Sequence, residues 1–139
     1  MKKILVPVDG SEACAAIYDH AKFFAEKLGA EVLILNAQDE RPAGYAGVDF
    51  KRVGDEKLQK NGEAIVEQAK KYFEGAGLKV ETRVVFEDAA SAIIDTAENE
   101  KCDMIIICTH GMSAARRFLI GSVANKVVHH ATVPVLVIR

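Results

Sequence analysis

Two short stretches of the sequence have the residue types and spacing that bind phosphate through the backbone. Thr109, His110 and Gly111 follow an apolar run, and after nine further residues Gly121 and Ser122 precede the helical pattern VANKVV. A helix start exposes about four unpaired N–H groups and the positive end of the helix dipole, and a glycine there lets phosphate oxygens approach closely. Gly121 and Ser122 are therefore candidate phosphate ligands, although spacing alone favours a capping role for the Ser122 hydroxyl.

An acidic and a basic candidate lie near these stretches. Asp9 follows the first apolar run, where its carboxylate is suited to hold a ribose hydroxyl or, indirectly, a divalent ion; the simpler alternative is an Asx turn ahead of Ser11. Arg116 and Arg117 are suited to clamp a polyphosphate, since guanidinium groups match phosphate oxygens, but adjacent loop arginines are commonly only solvated. The sequence contains neither GxxxxGK[ST] nor GxGxxG after a strand, which excludes a P-loop and a dinucleotide fingerprint.

The three cysteines and the lack of a catalytic constellation limit the chemistry further. Cys14, Cys102 and Cys108 are odd in number and lack CxxC spacing, which favours reduced thiols over a disulfide framework or a zinc site. Cys108 is a candidate redox thiol at the binding cleft, with simple packing as the alternative. The sequence shows no nucleophile with an adjacent base and an orienting group, so we do not expect a dedicated hydrolase.

These candidates are positioned by alternating strands and helices. Five short runs rich in Val and Ile predict strands over residues 3–8, 30–37, 78–86, 103–108 and 133–139. In each gap between them, apolar residues recur at helical spacing. This pattern begins at Cys14 in the first gap, and in the fourth gap it consists of Val123, Val127, Val128 and Ala131. This alternation predicts an α/β fold, a doubly wound parallel sheet of five strands with helices on both faces.

The position of the ligand site depends on which strands lie at the centre of the sheet. The first and fourth runs are almost continuously apolar, as in strands covered on both faces, so we place them at the centre. Pro7 cannot donate to a ladder and is expected where pairing ends. Ligands bind beyond the carboxyl ends of such strands, at the point where strand order reverses. Residues 38–52 show no periodicity and are predicted to form a long loop beside the same end.

Length and composition are typical of a single globular domain. The 139 residues are 50% hydrophobic and 27% charged, and the net charge of -2 gives no electrostatic reason to expect nucleic acid or an anionic membrane. The first apolar run is too short for a signal peptide, and no later run approaches about 18 apolar residues. We therefore expect one domain over residues 1–139, located in the cytoplasm, with no nucleic-acid or membrane partner.

Several motifs resemble those of the universal stress protein family, and the resemblance covers the whole chain. They are ILVPVDGSE at the start, THG after the fourth strand, a gap of nine residues, and GSVANKVVHHATVPVLVIR at the end. Many members share Gly, two residues, Gly, nine residues and Gly-Ser/Thr, which in the ATP-binding branch holds the ribose and phosphates. Gly111, Gly121 and Ser122 match this pattern, whereas Cys108 replaces its first glycine. The resemblance implies a Rossmann-like sheet of order 3-2-1-4-5.

The resemblance also implies a ligand and roles for individual residues. Asp9 matches the aspartate that contacts the ribose, and Ala37 matches the residue whose backbone contacts adenine. The expected ligand is ATP, with AMP or ADP as alternatives and Mg²⁺ accompanying the nucleotide. The predicted binding set is Pro7, Val8, Asp9, Ala37, Cys108, Thr109, His110, Gly111, Arg116, Gly121, Ser122 and Val123.

Two functions from different classes remain open at this point. The first is an adenine-nucleotide-binding regulatory protein of the stress response, with slow ATP hydrolysis as an option and an unknown protein partner. The second is a nucleotide-free dimeric stress protein that works through protein contacts, which Cys108 favours. In either case we expect a homodimer through the last strand, residues 133–139, because an apolar edge strand invites pairing with another chain. The resemblance implies the same contact, with the two last strands antiparallel.

Overall fold

The computed structural model describes residues 2–39, 48–109 and 120–139, and their central feature is a five-stranded parallel sheet. Its strands are β1 (Lys3–Pro7), β2 (Glu31–Ala37), β3 (Val80–Val85), β4 (Met104–Cys108) and β5 (Val135–Ile138). Their order is β3-β2-β1-β4-β5, and all four neighbouring pairs are parallel. The predicted order and the predicted central pair, β1 and β4, are confirmed.

In the described ranges, four helices cover the two faces of the sheet. They are α1 (Ala16–Leu28), α2 (Val48–Phe73), α3 (Ala89–Asn99) and α4 (Ser122–His130), and one turn of 3-10 helix (Glu12–Ala15) precedes α1. Buried residues of α1 and α2 share one apolar core cluster, while those of α3 and α4 share the other. The sheet is therefore doubly wound, as the alternation of elements predicts.

Local sequence explains why the elements form where they do. Ile17, Ala21 and Ala25 are fully buried on one side of α1, and Gly29 ends that helix in the left-handed conformation that glycine adopts readily. Asp88 caps α3 by accepting a hydrogen bond from the Ser91 N–H at 3.0 Å, and this bond is the main cause that lowers the pKa of its carboxyl group.

Burial along the strands matches their position in the sheet. Ile4, Leu5 and Val6 of β1 are fully buried, because helices cover both faces of this central strand. Every residue of β3 and β5 is only partly buried, in agreement with their place at the two edges. Within the described ranges, no helix is both long enough and apolar enough to cross a membrane.

Two details differ from the sequence-based prediction. Residues 48–52 begin α2 instead of belonging to a loop over 38–52; the turn-forming residues of that stretch end at Gly47, immediately before the helix. Residues 40–47 lie outside the described residues. Val128, predicted to face the core, is 43% exposed, because the buried side of α4 is centred on Val127 and leaves Val128 at its rim.

Candidate functional site

The sheet opens between its two central strands, and Pro7 contributes to that opening. β1 pairs with β2 as far as Pro7 and Leu35 but pairs with β4 only at Ile4 and Leu5. Val8 donates its N–H to the Leu35 carbonyl on the β2 side, so alternation along the strand turns the Pro7 nitrogen, which has no hydrogen, toward β4. The β1–β4 ladder ends there, as predicted for this proline, and the strand order reverses at the same place.

A cleft of about 230 Å³ lies at this opening, at the carboxyl ends of the strands. Pockets for drug-sized ligands usually measure about 300 to 1,000 Å³, so the space that the described residues bound is somewhat smaller than a typical ligand pocket. Half of the predicted binding set lines the cleft, namely Pro7, Val8, Asp9, Ala37, Cys108 and Val123.

The remaining lining residues were not predicted as site residues. They are Cys14, Leu35, Ala89, Ile93 and Ile107. The periodicity of the sequence correctly assigns Cys14 and Ile93 to apolar helix faces, but it does not show that both lie at the helix ends nearest the cleft. Except for Asp9, the walls are mainly apolar, as required to enclose a flat aromatic ring.

The Asp9 carboxylate is fixed at the mouth of the cleft by a local turn. Its Oδ1 accepts hydrogen bonds from the Ser11 N–H at 2.9 Å and from the Ser11 hydroxyl at 2.7 Å. This is the predicted Asx turn, and it holds the carboxylate of a residue that also lines the cleft. The structural role and a ligand role for Asp9 are therefore compatible.

A buried polar link fixes the segment that carries Asp9. The Asn36 side-chain amide donates to the Val8 carbonyl at 2.9 Å, and the Gln38 amide donates to Asn36 Oδ1 at 2.7 Å. Asn36 is 2% exposed, so neither bond is readily replaced by water. Asn36 is a positioning residue, because it ties the end of β2 to the residue before Asp9. Sequence patterning gave no signal for it.

Replacement of Asn36 by alanine tests this link. We expect Asn36→Ala to lower the free energy of unfolding by about 1 to 3 kcal/mol, because the Val8 carbonyl and the Gln38 amide lose a buried partner. Urea denaturation measures the change. Gln59→Ala is the matched control, since its side-chain hydrogen bond to Glu63 is exposed, and it should change stability by less than about 0.5 kcal/mol. Equal effects of the two substitutions would contradict a special role for Asn36.

Two cysteines meet at the inner end of the cleft. Cys14 Sγ and Cys108 Sγ lie 3.0 Å apart, and the two residues are 2% and 5% exposed. The pKa of the Cys14 thiol is raised above its ordinary value, mainly by the hydrogen bond to Cys108 and secondly by burial. Cys102 lies in the other core cluster, where burial raises its pKa to about 11.

The start of α4 reaches the other side of the cleft. Gly121 is the N-cap residue, Ser122 is the first helical residue, and Val123 lines the cleft. The predicted capping role of the Ser122 hydroxyl is therefore wrong, because the capping position belongs to Gly121, which has no side chain. The backbone N–H groups of the first helical turn lie beside the cleft, in the arrangement that favours an anion.

The rest of the predicted set falls into two groups. His110, Gly111 and Arg116 lie outside the described residues. Thr109, Gly121 and Ser122 are described but do not themselves line the cleft; Thr109 is buried, and its N–H donates to the Ile138 carbonyl at 3.1 Å. In the part of the chain that the structure describes, no group of three or more His, Cys, Asp or Glu side chains could hold a metal ion.

Known proteins match the chain over its full length. A sequence profile of the Universal stress protein family matches residues 1–139. Universal stress protein MJ0531 of Methanocaldococcus jannaschii is 33% identical over 139 residues, which cover 99% of this chain and 82% of the relative. Universal stress protein MJ0577 of the same organism is 32% identical over an alignment of 153 residues, which covers 99% of this chain and 94% of the relative.

Solved structures show the same fold. The structure of MJ0577 superimposes with a TM-score of 0.87 at 34% identity and covers 99% of this chain and 94% of its own. A universal stress protein of Archaeoglobus fulgidus, solved in complex with dAMP, has a TM-score of 0.69 at 22% identity and covers 100% and 98%.

Proposed function

Because the chain belongs to the universal stress protein family, we propose that it binds an adenine nucleotide in the cleft and acts as a regulatory protein in a stress response. One observation carries the proposal. The cleft at the reversal of strand order brings a fixed carboxylate, Asp9, and the N-terminus of α4 to an otherwise mainly apolar cavity. These are the three kinds of group that a nucleoside phosphate requires: a cover for the base, an acceptor for ribose hydroxyls, and donors for phosphate.

The end of β2 supplies backbone groups for the base. The Leu35 carbonyl accepts a hydrogen bond from the Val8 N–H on the β1 side. The Gln38 N–H donates a hydrogen bond to the Val85 carbonyl on the β3 side. Alternation along the strand therefore turns the Ala37 peptide groups toward β1, beyond the Val8–Leu35 hydrogen bond. A backbone donor and acceptor at this place match the edge of an adenine ring, which supports the role proposed for Ala37.

Phosphate binding is assigned to the start of α4. Gly121 and Ser122 would present backbone N–H groups to the phosphate oxygens, and the helix dipole favours the negative charge. We assign Gly111 to the same phosphates by its place in the sequence motif, and Arg116 because its guanidinium group matches phosphate oxygens. Magnesium would be held mainly by the nucleotide phosphates, in keeping with its usual preference for phosphate oxygens and water.

The replacement of the first motif glycine by Cys108 leaves the site room for a ligand. The Cys108 sulfur packs against Cys14 in the core cluster on the α1–α2 side. Leu35, Ile93 and Ile107, which form much of the cleft wall, belong to the cluster on the opposite side. Cys108 therefore lines the cleft from its α1–α2 side, opposite Leu35, Ile93 and Ile107.

A nucleotide-free dimer that works only through protein contacts is the second candidate, and Cys108 in place of glycine is the observation that favours it. Both candidates include a homodimer through residues 133–139, a cytoplasmic location and an additional protein partner. They differ in whether the cleft is used by a ligand.

Ligand analysis of the native protein separates these candidates. We expect mass spectrometry to detect an adenine nucleotide carried through purification, and calorimetry to show binding of ATP in the presence of magnesium. GTP is the matched control, because it shares the ribose and phosphates and differs in the base edge that meets Ala37. Absence of both carried nucleotide and ATP binding at millimolar concentration would favour the nucleotide-free dimer. Phosphate release measured on the same sample should be slow.

A further inference from the structure

We propose that Cys14 and Cys108 form a reversible disulfide bond in the cleft, which makes this pair a modification site for small oxidised thiols. Their sulfur atoms are 3.0 Å apart, whereas a disulfide bond is about 2.05 Å long, so closure requires an approach of roughly one ångström. The two residues are far apart in sequence, and only the winding of the sheet brings the 3-10 helix to the end of β4.

Access through the cleft favours reaction at this pair. Both cysteines line the cleft, which gives a small reagent a route to otherwise buried sulfurs. Cys14 follows the exposed residues from Asp9 to Glu12 and lies in a single turn of 3-10 helix. Cys108, in contrast, ends a central strand and is held by the sheet.

The reaction is a thiol–disulfide exchange with a low-molecular-weight disulfide, RSSR. Either sulfur can donate the hydrogen bond between the two thiols, so either cysteine can attack first as its thiolate. The attacking cysteine forms a mixed disulfide with one RS group and releases the other as RSH; the second cysteine then attacks the sulfur of the first and releases a second RSH. The protein loses two protons and two electrons, and RSSR gains them. An excess of RSH reverses the reaction.

Closure would act on the nucleotide site, a consequence that rests on the proposed function. Cys14 lies three residues beyond the Ser11 that holds the Asp9 carboxylate. A pull on the 3-10 helix therefore shifts the ribose-binding carboxylate relative to the start of α4. We expect the disulfide form to bind ATP less tightly than the dithiol form.

The third cysteine provides the control and also requires a precaution. Cys102 lies six positions before Cys108, a distance of about 20 Å along an extended strand. Trypsin cleaves after Lys101 and after Arg116, which leaves Cys102 and Cys108 in one peptide. Mapping is therefore done in a Cys102→Ala background, where a link to the Cys14 peptide has a single interpretation.

The test treats the folded Cys102→Ala protein with glutathione disulfide. We expect both remaining thiols to disappear, a cross-linked peptide that contains Cys14 and Cys108, and full recovery with dithiothreitol. Cys14→Ala and Cys108→Ala in the same background should give no intramolecular link. Glutathione adducts without a cross-link, or two thiols that persist in the folded protein while the denatured protein reacts, would overturn the proposal.

A second arm separates this proposal from nucleotide binding. Saturating ATP should slow the cross-linking in proportion to the fraction of occupied clefts, because the ligand blocks the route to both sulfurs. If the cross-link forms at the same rate with ATP, the dithiol site stands and the placement of the nucleotide in this cleft is wrong.

Discussion

Gly121→Val is expected to weaken ATP binding by at least about tenfold with little change in folding. Gly121 precedes α4 at φ −58° and ψ 156°, an extended conformation that valine also adopts, so the substitution introduces no backbone strain. The added side chain would keep phosphate oxygens from the first N–H groups of the helix. Loss of one or two charge-assisted hydrogen bonds, of about 1.5 to 3 kcal/mol each, accounts for the expected change.

Ala131→Val is the matched control for this substitution. Ala131 ends the same helix at φ −66° and ψ 143°, so the same side chain is placed on a similar backbone far from the cleft. Calorimetry should give the parent affinity for Ala131→Val, and thermal melting should show that both variants fold. If the parent protein and Gly121→Val bind ATP equally, Gly121 has no phosphate role.

The sequence predicts the sheet well because burial on a strand or helix is a local property. β1 has an almost unbroken apolar run because both of its faces are covered, and β3 alternates because it lies at an edge. The same argument places Pro7 where the β1–β4 ladder ends. Asp9 and Val123 then reach the cleft because the carboxyl ends of parallel strands meet at one edge.

Contacts between distant segments were not predictable in the same way. Cys14 with Cys108 and Asn36 with Val8 depend on the register between elements, which periodicity does not encode. Gly62, in the interior of α2, is a further example. A Cβ there would lie 2.6 Å from Val84 Cγ1, so this glycine allows α2 to approach β3 closely. From sequence alone, it is only a weak point in a helix.

The open edge of β5 is expected to form the homodimer, and Val137→Pro is expected to raise its dissociation constant by about a hundredfold. The Pro134 carbonyl accepts a hydrogen bond from the Ile105 N–H of β4, and the Ile138 carbonyl accepts one from Thr109, the residue after β4. Alternation along β5 therefore turns the peptide groups of Val135 and Val137 toward the outer edge. Proline at 137 removes an outward donor and spares the β4–β5 ladder. Twofold symmetry makes the loss occur twice, at about 1 to 1.5 kcal/mol for each hydrogen bond.

Sedimentation measures this dissociation, and circular dichroism verifies that the variant folds. A second variant, with glutamate at both Val135 and Val137, keeps the backbone donors but brings like charges together across the symmetry axis, so it should also favour the monomer. A parent protein that is monomeric at micromolar concentration would contradict the homodimer. A glutamate variant that remains dimeric would show that the dimer is not formed through β5. The proline variant then decides whether the backbone of this edge takes part, because it changes the outward hydrogen bonding without adding charge.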